Sequence, residues 1–314
     1  MRCLVTGATG HVGSFLTRRL VREGWSVSVL VRPQSDLSRI ADVLPALTIL
    51  YGEMENLEPT VGSITEAAPR FVFHLAWSGV TKEHRNDSRQ LTENIRGSLR
   101  LFEIAHAAGC KRWIGLGSQA EYGRHDVILS ETSHTEPTTA YGVAKLALFM
   151  LMSKACEITE TSLVWIRLLA AYGPMDDPRH LIPSAIRALI DRDILHTTPG
   201  EQRWDYLYVE DAVDAIYRLA ITTAADGVFN LGSGKAHEVR EIVSMIRDLI
   251  DPSAAVGFGD LAYGQDQIML LQTDITKIQQ VTGWSPEVDL AEGLRRTVVW
   301  HRDDRSGLHA GRVS

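Results

Sequence analysis

The chain has 314 residues, 45% apolar and 23% charged, with a net charge of −7 at neutral pH. At ~150 residues per domain that is about two domains, or one large one with a lobe, and enough chain to bury a core without staples. The acidic balance argues against a protein built to grip nucleic acid or an anionic membrane, and the longest apolar run, 146–152, is far short of the ~20 residues that span a bilayer.

A strand pattern starts at once with Arg2-Cys3-Leu4-Val5, which leaves no room for a signal peptide. Short apolar runs then alternate with helix-length amphipathic stretches. Strands are expected over 3–6, 26–31, 47–51, 71–76, 112–118 and 162–168, and helices over 12–23, 36–44, 62–68, 91–108 and 139–157. Continuous apolar strands separated by helices imply a parallel sheet covered on both faces. After Leu168 the rhythm changes, with Pro174, Pro178, Pro183 and Pro199 in a short span. A helix over 211–222 and a strand over 227–231 can return to the main sheet. The expected fold is therefore α/β: a Rossmann-like doubly wound parallel sheet with a smaller C-terminal α/β substrate lobe. The dinucleotide-binding domain is expected over 1–168, with 209–231 returning to it. The lobe would take 169–208 and 232–301, and 302–314 reads as a disordered tail.

Cys3, Cys110 and Cys156 match no zinc or redox spacing, so buried, reduced thiols in a cytoplasmic protein are expected. The eleven histidines form no metal spacing either, and no metal is expected.

Thr6-Gly7-Ala8-Thr9-Gly10-His11-Val12-Gly13 follows the first strand and opens the first helix. Glycines at this spacing allow a tight turn, a close approach of backbone N–H groups to a pyrophosphate, and close helix–sheet packing. A structural turn is the bland alternative, and the strand–turn–helix context speaks against it. Thr9, His11 and Val12 fall inside the same loop, His11 being a residue that can touch a phosphate or merely be tolerated. An NAD site wants a carboxylate at the end of the second strand to hold the ribose 2′-hydroxyl. Here Val31-Arg32 stand instead. A guanidinium suits a 2′-phosphate, which favours NADP(H) and leaves NAD(H) possible.

Tyr141 and Lys145 are one turn apart on an expected helix and share a face. A cation beside a phenol favours its phenolate, so the pair can exchange a proton with a carbinol oxygen. Such a pair is common and by itself means little. Upstream, however, the strand Trp113-Ile114-Gly115-Leu116 ends in Gly117-Ser118, where open α/β sheets place ligands. Ser118 can hydrogen-bond the same oxygen.

With these motifs the chain resembles the extended short-chain dehydrogenase/reductase superfamily, the NAD-dependent epimerase/dehydratase group, over about 2–300. The shared marks are Thr-Gly-x-x-Gly-x-x-Gly at 6–13, His74-Leu75-Ala76, Asn94-x-x-Gly97, Ser118 before Tyr122-Gly123, and Tyr141-x-x-x-Lys145. Further along stand Arg167 with Tyr172-Gly173-Pro174, Arg203 before Tyr206-Leu207-Tyr208-Val209-Glu210-Asp211, Phe229-Asn230-Leu231-Gly232 and Gly283-Trp284-x-Pro286. The resemblance implies Ser118, Tyr141 and Lys145 as catalytic residues and Gly7, Gly10 and Gly13 as the pyrophosphate loop. It implies Glu53 and Met54 against the adenine, Leu75 and Ala76 beside the cofactor ribose, and Leu168 at the cofactor. It also implies substrate contacts from Ser118, Gln119, Tyr141 and Arg203, the last to a nucleotide diphosphate. Most members act on nucleotide-activated sugars, and a homodimer is expected.

The departures matter as much. Where sugar dehydratases carry an Asp-Glu pair after the catalytic hydroxyl residue, this chain has Gln119-Ala120, with Glu121 one position late. Glutamine is no general acid, so dehydration is disfavoured. The family's diphosphate-holding Asn is Ala170, and its late arginine gives way to Tyr263-Gly264-Gln265-Asp266. His74, Trp77 and Trp284 read as packing residues, and Trp204 as the best aromatic wall for a substrate.

The expected function is NADPH-dependent reduction of a keto group on a nucleotide-activated keto-deoxysugar. The alternatives are an NAD-dependent nucleotide-sugar epimerase, a reductase of a non-nucleotide carbonyl, and a non-catalytic NADP-binding scaffold.

Overall fold

The computed structural model describes residues 1–264 and 267–305. Gln265 and Asp266, part of the segment that replaces the family's late arginine, lie outside them, as does 306–314 of the expected tail. In chain order the first half runs β1 (Arg2–Thr6), α1 (His11–Arg22), β2 (Ser26–Val31), β3 (Leu47–Tyr51), α2 (Val61–Ala67), β4 (Phe71–His74), α3 (Ile95–Ala107), β5 (Arg112–Ser118), α4 (Ala140–Ile158) and β6 (Ser162–Leu168). The second half runs β7 (Ala170–Tyr172), α5 (Leu181–Ile190), β8 (Leu195–Thr197), β9 (Arg203–Tyr208), α6 (Val209–Ile221), β10 (Gly227–Leu231), β11 (Ala236–Glu238), α7 (Val239–Ile250), β12 (Val256–Phe258), β13 (Leu270–Leu271), α8 (Thr276–Thr282) and α9 (Leu290–Arg305).

Seven strands form one parallel sheet in the order β10-β6-β5-β4-β1-β2-β3. Successive side chains of a strand face opposite layers, and the sequence supplies apolar residues for both. Cys3, Val5, Val29 and Ile114 pack with Leu16, Leu20, Ala212 and Ile216 of α1 and α6. Leu4, Leu30, Val72, Trp113 and Trp165 pack on the other side with Ile64, Leu101, Phe102 and Leu148 of α2, α3 and α4. That is the doubly wound, Rossmann-like α/β fold. Chain order reverses between β1 and β4, so the crevice for a ligand opens at their carboxyl ends.

A second, smaller sheet carries β9 between β11 and β13, with β7 also pairing to β9. Its strands are two to six residues long. Together with α5, α7 and α9 it makes a separate apolar cluster around Tyr172, Ile186, Ile242 and Leu294. Strand β10 pairs with β6 through Phe229↔Ile166 and its neighbours, which carries the chain back into the main sheet. The buried Arg112 ties the return together, donating to the carbonyls of Leu219, Thr222 and Ala225.

Several boundaries differ from the sequence reading. The helix expected over 36–44 is a 3-10 segment, Ser38–Ala46. The Asp36 carboxylate accepts the Ser38 N–H at 2.9 Å, a local turn that competes with helix entry, and Pro45 lies inside the segment. The helix expected over 91–108 opens with a π-turn, Gln90–Asn94, before α3 begins. The strand expected to reach Ala76 stops at His74, because Leu75 and Ala76 bend to meet the first loop. The last helix runs to Arg305, where its guanidinium pairs with Asp191, so 302–305 is folded and not part of a tail. Among the described residues no helix is long and apolar enough to cross a membrane. The three cysteines are buried and unpaired.

Candidate active site

The loop between β1 and α1 is shaped by close approach. Gly7 has φ +72°, and a Cβ there would meet the Ala76 nitrogen at 2.7 Å. A Cβ on Gly13 would run into the Gly7 carbonyl oxygen. The loop closes with the Gly10 N–H donating to Gly7 O at 3.0 Å, and Gly10 is the residue before α1. No side chain caps α1, so the first backbone N–H groups of the helix face the crevice as a ready anion site. A cradle this tight, at the carboxyl end of β1, fits a dinucleotide pyrophosphate. Leu75 and Ala76 form its wall, tied to Thr6 by N–H bonds of 3.2 Å to the Thr6 carbonyl and hydroxyl.

His11 is the first residue of α1, and its Nδ1 stands 3.3 Å from the Asp176 carboxylate. Burial pushes the imidazole down to about 4 despite that carboxylate. Thr9, Arg32, Gln34, Ser35, Asp36, Ser38 and Arg39 line one cavity of about 450 Å³ beyond β2. Arg39 Nη1 donates to the Thr9 carbonyl at 3.2 Å, which holds this second guanidinium beside the first loop. Arg39 is not singled out by the sequence motifs; the available signal is a basic residue seven positions after Arg32 in a segment that must fold back on the loop. The one carboxylate of the cavity, Asp36, is engaged by the N–H and hydroxyl of Ser38. Glu53 is exposed on the loop after β3 and accepts from Gln34 at 3.3 Å, while Met54 is half-buried against the core.

Ser118 ends β5 and begins a tight turn. Its hydroxyl accepts from the Ala120 N–H at 3.2 Å, and the Glu121 carboxylate reaches back to the Ser118 N–H at 2.9 Å, a capping box. Tyr141 stands in the first turn of α4. Thr139 caps that helix through the Gly142 N–H, and two orphan amides find other acceptors: Ala140 at Asn86 Oδ1 and Tyr141 at the Arg85 carbonyl. The structure brings Ser118, Tyr141 and Lys145 together, with the Ser118 side chain near the Tyr141 phenol and the Lys145 Nζ 6.0 Å from the Tyr141 ring centroid. Burial raises the phenol above the usual tyrosine range, and the Ser118 hydrogen bond and the Arg85 charge pull it part of the way back. The phenol is thus protonated at neutral pH, as a proton donor requires. The Lys145 ammonium donates to the Leu116 carbonyl at 2.6 Å and lies 3.8 Å from the centroid of the Trp77 ring. Burial pulls it well below the usual lysine range, with Glu121 opposing.

Glu121, the displaced acid, is fully buried. It accepts from Trp165 Nε1 at 3.1 Å and from Arg167 Nε at 2.7 Å. Burial works against the Arg167 charge, and Glu121 and Tyr122 more than offset it. Three donors, the Ser118 N–H, Trp165 and Arg167, thus take up its oxygens. Gln119 is half-buried, with its Oε1 buried and unpartnered in the structure, and Leu168 ends β6 opposite Ser118.

Arg203 lies apart, exposed at the start of β9 in the second sheet, and donates to the Ala236 carbonyl at 3.3 Å. The acids that would make it a structural ion pair are engaged elsewhere: Asp205 by the N–H groups of Ser233 and Gly234, Glu210 by Arg296 at 3.5 Å. Ala170, in the place of the family's Asn, pairs with Tyr206 on that strand. Trp204 donates to the Ile268 carbonyl and packs beside the Tyr122–Leu129–Leu271 cluster. Trp284 is core. Trp77 is more than packing: its ring meets Tyr141 edge-on at 6.0 Å and underlies Lys145.

The model of the NAD dependent epimerase/dehydratase family matches residues 3–232. The chain belongs to that family. A UDP-glucose 4-epimerase of Mycolicibacterium smegmatis is 28% identical over 315 residues, covering 96% of this chain and 99% of its own. A dTDP-4-dehydro-6-deoxyglucose reductase of Escherichia coli is 24% identical, covering 94% and 96%. Among solved structures, the UDP-glucose 4-epimerase of Thermotoga maritima with UDP-glucose superposes with a TM-score of 0.89 at 26% identity, over 97% of this chain and 100% of its own. Epimerase/dehydratase family membership accounts for the seven-stranded sheet and for the joint presence of the glycine loop and the Ser118–Tyr141–Lys145 set.

Proposed function

We propose that the protein is an NADPH-dependent reductase of a keto group on a nucleotide-activated sugar. The observation that carries this reading is the cavity beyond β2, where Arg32 and Arg39 stand with Ser35 and Ser38 and the single carboxylate is tied up. Two guanidiniums and two hydroxyls suit a 2′-phosphate, which NADP(H) has and NAD(H) lacks. A bound reduced nicotinamide supplies hydride. The protein's part is to place the sugar carbonyl oxygen between Ser118 Oγ and Tyr141 Oη, to deliver the phenol proton to it, and to hold the Lys145 charge beside the phenolate that results. The locked Glu121 supports reduction without dehydration. On this reading 1–168 with 209–231 binds the cofactor, 169–208 with 232–301 binds the sugar, and Arg203 anchors the diphosphate. Val143, Met150, Leu151 and Ile158 make an exposed stripe on α4, which we read as the face of a homodimer working in the cytoplasm.

Fluorescence titration tests the cofactor. NADPH is expected to bind more tightly than NADH, and Arg32→Ala to cost about 1–3 kcal/mol for NADPH alone. Equal affinities, or a preference for NADH, would overturn the assignment. For the sugar, Arg203→Ala is expected to raise KM for a nucleoside-diphosphate keto-sugar by about 10- to 150-fold with NADPH affinity unchanged. If nucleoside diphosphates neither inhibit nor shift the melting temperature, the substrate is a carbonyl compound without a nucleotide.

The second reading is an NAD-dependent nucleotide-sugar epimerase. Its support is the likeness to the two UDP-glucose 4-epimerases, since oxidation and re-reduction of one carbon needs the same three side chains. Mass spectrometry of the co-purified dinucleotide separates the two: NADP supports the reductase, and tightly held NAD supports the epimerase.

A further inference from the structure

The loop after β4 is held in an unusual way. The π-turn Gln90–Asn94 adds a residue to one turn of helix, a device often found at functional sites. It turns two amides into the fold, and Gln90 and Asn94 are 2% and 8% exposed. Asn94 bonds both backbone groups of Ser78, accepting its N–H at 2.9 Å and donating to its carbonyl at 3.1 Å. Gln90 donates to the carbonyls of Gly79 and His84 and accepts the Trp77 indole N–H at 2.7 Å. The indole is therefore fixed at its polar edge, with its face toward Lys145.

We propose that Trp77 is a positioning residue whose ring face holds the Lys145 ammonium beside Tyr141 and keeps it charged. A cation over an indole is attracted by the ring quadrupole, most strongly where water is excluded. Lys145 is such a case: it is 4% exposed and, among the described residues, has one hydrogen-bond acceptor, Leu116 O, at 2.6 Å. The titratable groups around it leave that task unfilled. Glu121, from the turn after β5, favours the charge, but its oxygens are committed to Ser118, Trp165 and Arg167. His74, from β4, is neutral, pushed down to about 3 by burial and by Lys145 itself. Arg85, whose guanidinium lies 5.8 Å from the Tyr141 ring centroid, carries the same sign. Tyr141, one turn back on α4, is protonated in the free chain. Burial pulls the amine toward its neutral form, and the indole face 3.8 Å from the ammonium opposes that.

The inference rests on the reading of Tyr141 and Lys145 given above, so its test includes a measurement that needs no turnover. In the full-length protein carrying lysine labelled with ¹³C at Cε, the Lys145 resonance, assigned by its loss in Lys145→Met, is titrated by NMR. Trp77→Leu is expected to lower its midpoint by about one pH unit. Trp77→Phe keeps a ring face while losing the bond to Gln90, and is expected to stay within about half a unit of wild type. With NADPH and a nucleotide keto-sugar, the alkaline limb of kcat should move by the same amounts. An unchanged midpoint in Trp77→Leu overturns the proposal. So does a rise, which would mean that the indole acts by excluding water. A fall in Trp77→Phe as large as in Trp77→Leu would make the Gln90 bond, and not the ring face, the working contact. Should the midpoints move as expected while no keto-sugar is reduced, the positioning role stands and the reductase reading fails.

Discussion

Tyr141→Phe will fold and bind the dinucleotide as the wild type does, yet reduce its substrate at least ~10²-fold more slowly, the usual effect of losing a general acid. The ring remains to meet Trp77 edge-on, and the Tyr141 N–H to Arg85 bond is backbone and survives. What disappears is the phenol hydroxyl near Ser118. Single-turnover measurement with saturating NADPH checks the chemical step directly, and a rate within a few-fold of wild type would remove Tyr141 from the role of acid. Because burial raises the phenol and lowers the Lys145 amine in the free chain, the alkaline limb of the wild-type rate should follow the loss of the Lys145 charge and not the ionisation of the phenol.

The second large effect concerns stability. Glu121→Leu strands the buried Arg167 guanidinium, and breaking one side of a buried pair costs about 3–5 kcal/mol. For a chain of this size that is a fall in Tm of roughly 5–8 °C. Replacing both residues, as Glu121→Leu with Arg167→Met, removes the unpaired charge and should recover most of the loss. The same double variant should remain slow in turnover, since the capping of Ser118 is gone. Denaturant titration of the three proteins decides: a single variant as stable as wild type would mean that Arg167 reaches water.

The strands of the main sheet are legible in the sequence because both faces are covered, so each is a run of apolar residues with a sharp start and end. The smaller sheet is not legible. β7, β11 and β13 are two or three residues long, too short to show a period, and their pairing depends on β9, a strand distant in sequence. The π-turn is hidden for a related reason: 91–108 carries one continuous amphipathic pattern, and the extra residue is fixed by tertiary bonds from Gln90 and Asn94. Within the site, Ser118, Tyr141 and Lys145 could be placed from strand-end and one-turn spacing alone. Glu121 could be located but not interpreted, since only the fold shows that Trp165 and Arg167 close over it. Trp77 reads as packing in the sequence because an aromatic residue after a strand usually is. The signal available was its position, three residues beyond β4 at the edge where the sheet places ligands.

The return of β10 to the main sheet has a consequence for how the chain is made. When Leu168 leaves the ribosome, β6 is the outermost strand, with its unpaired backbone groups and Ile166 facing whatever is nearby. Its partner ends at Leu231, some sixty residues later, which at ~5–20 residues per second is roughly 3–12 s of synthesis. Arg112 meanwhile lacks the three carbonyls that receive it. An open parallel edge of this kind invites pairing with another nascent chain. The half up to Leu168 therefore cannot be expected to behave as an autonomous fragment when cut there, and yield during expression should depend on how quickly translation crosses the stretch from Leu168 to Leu231.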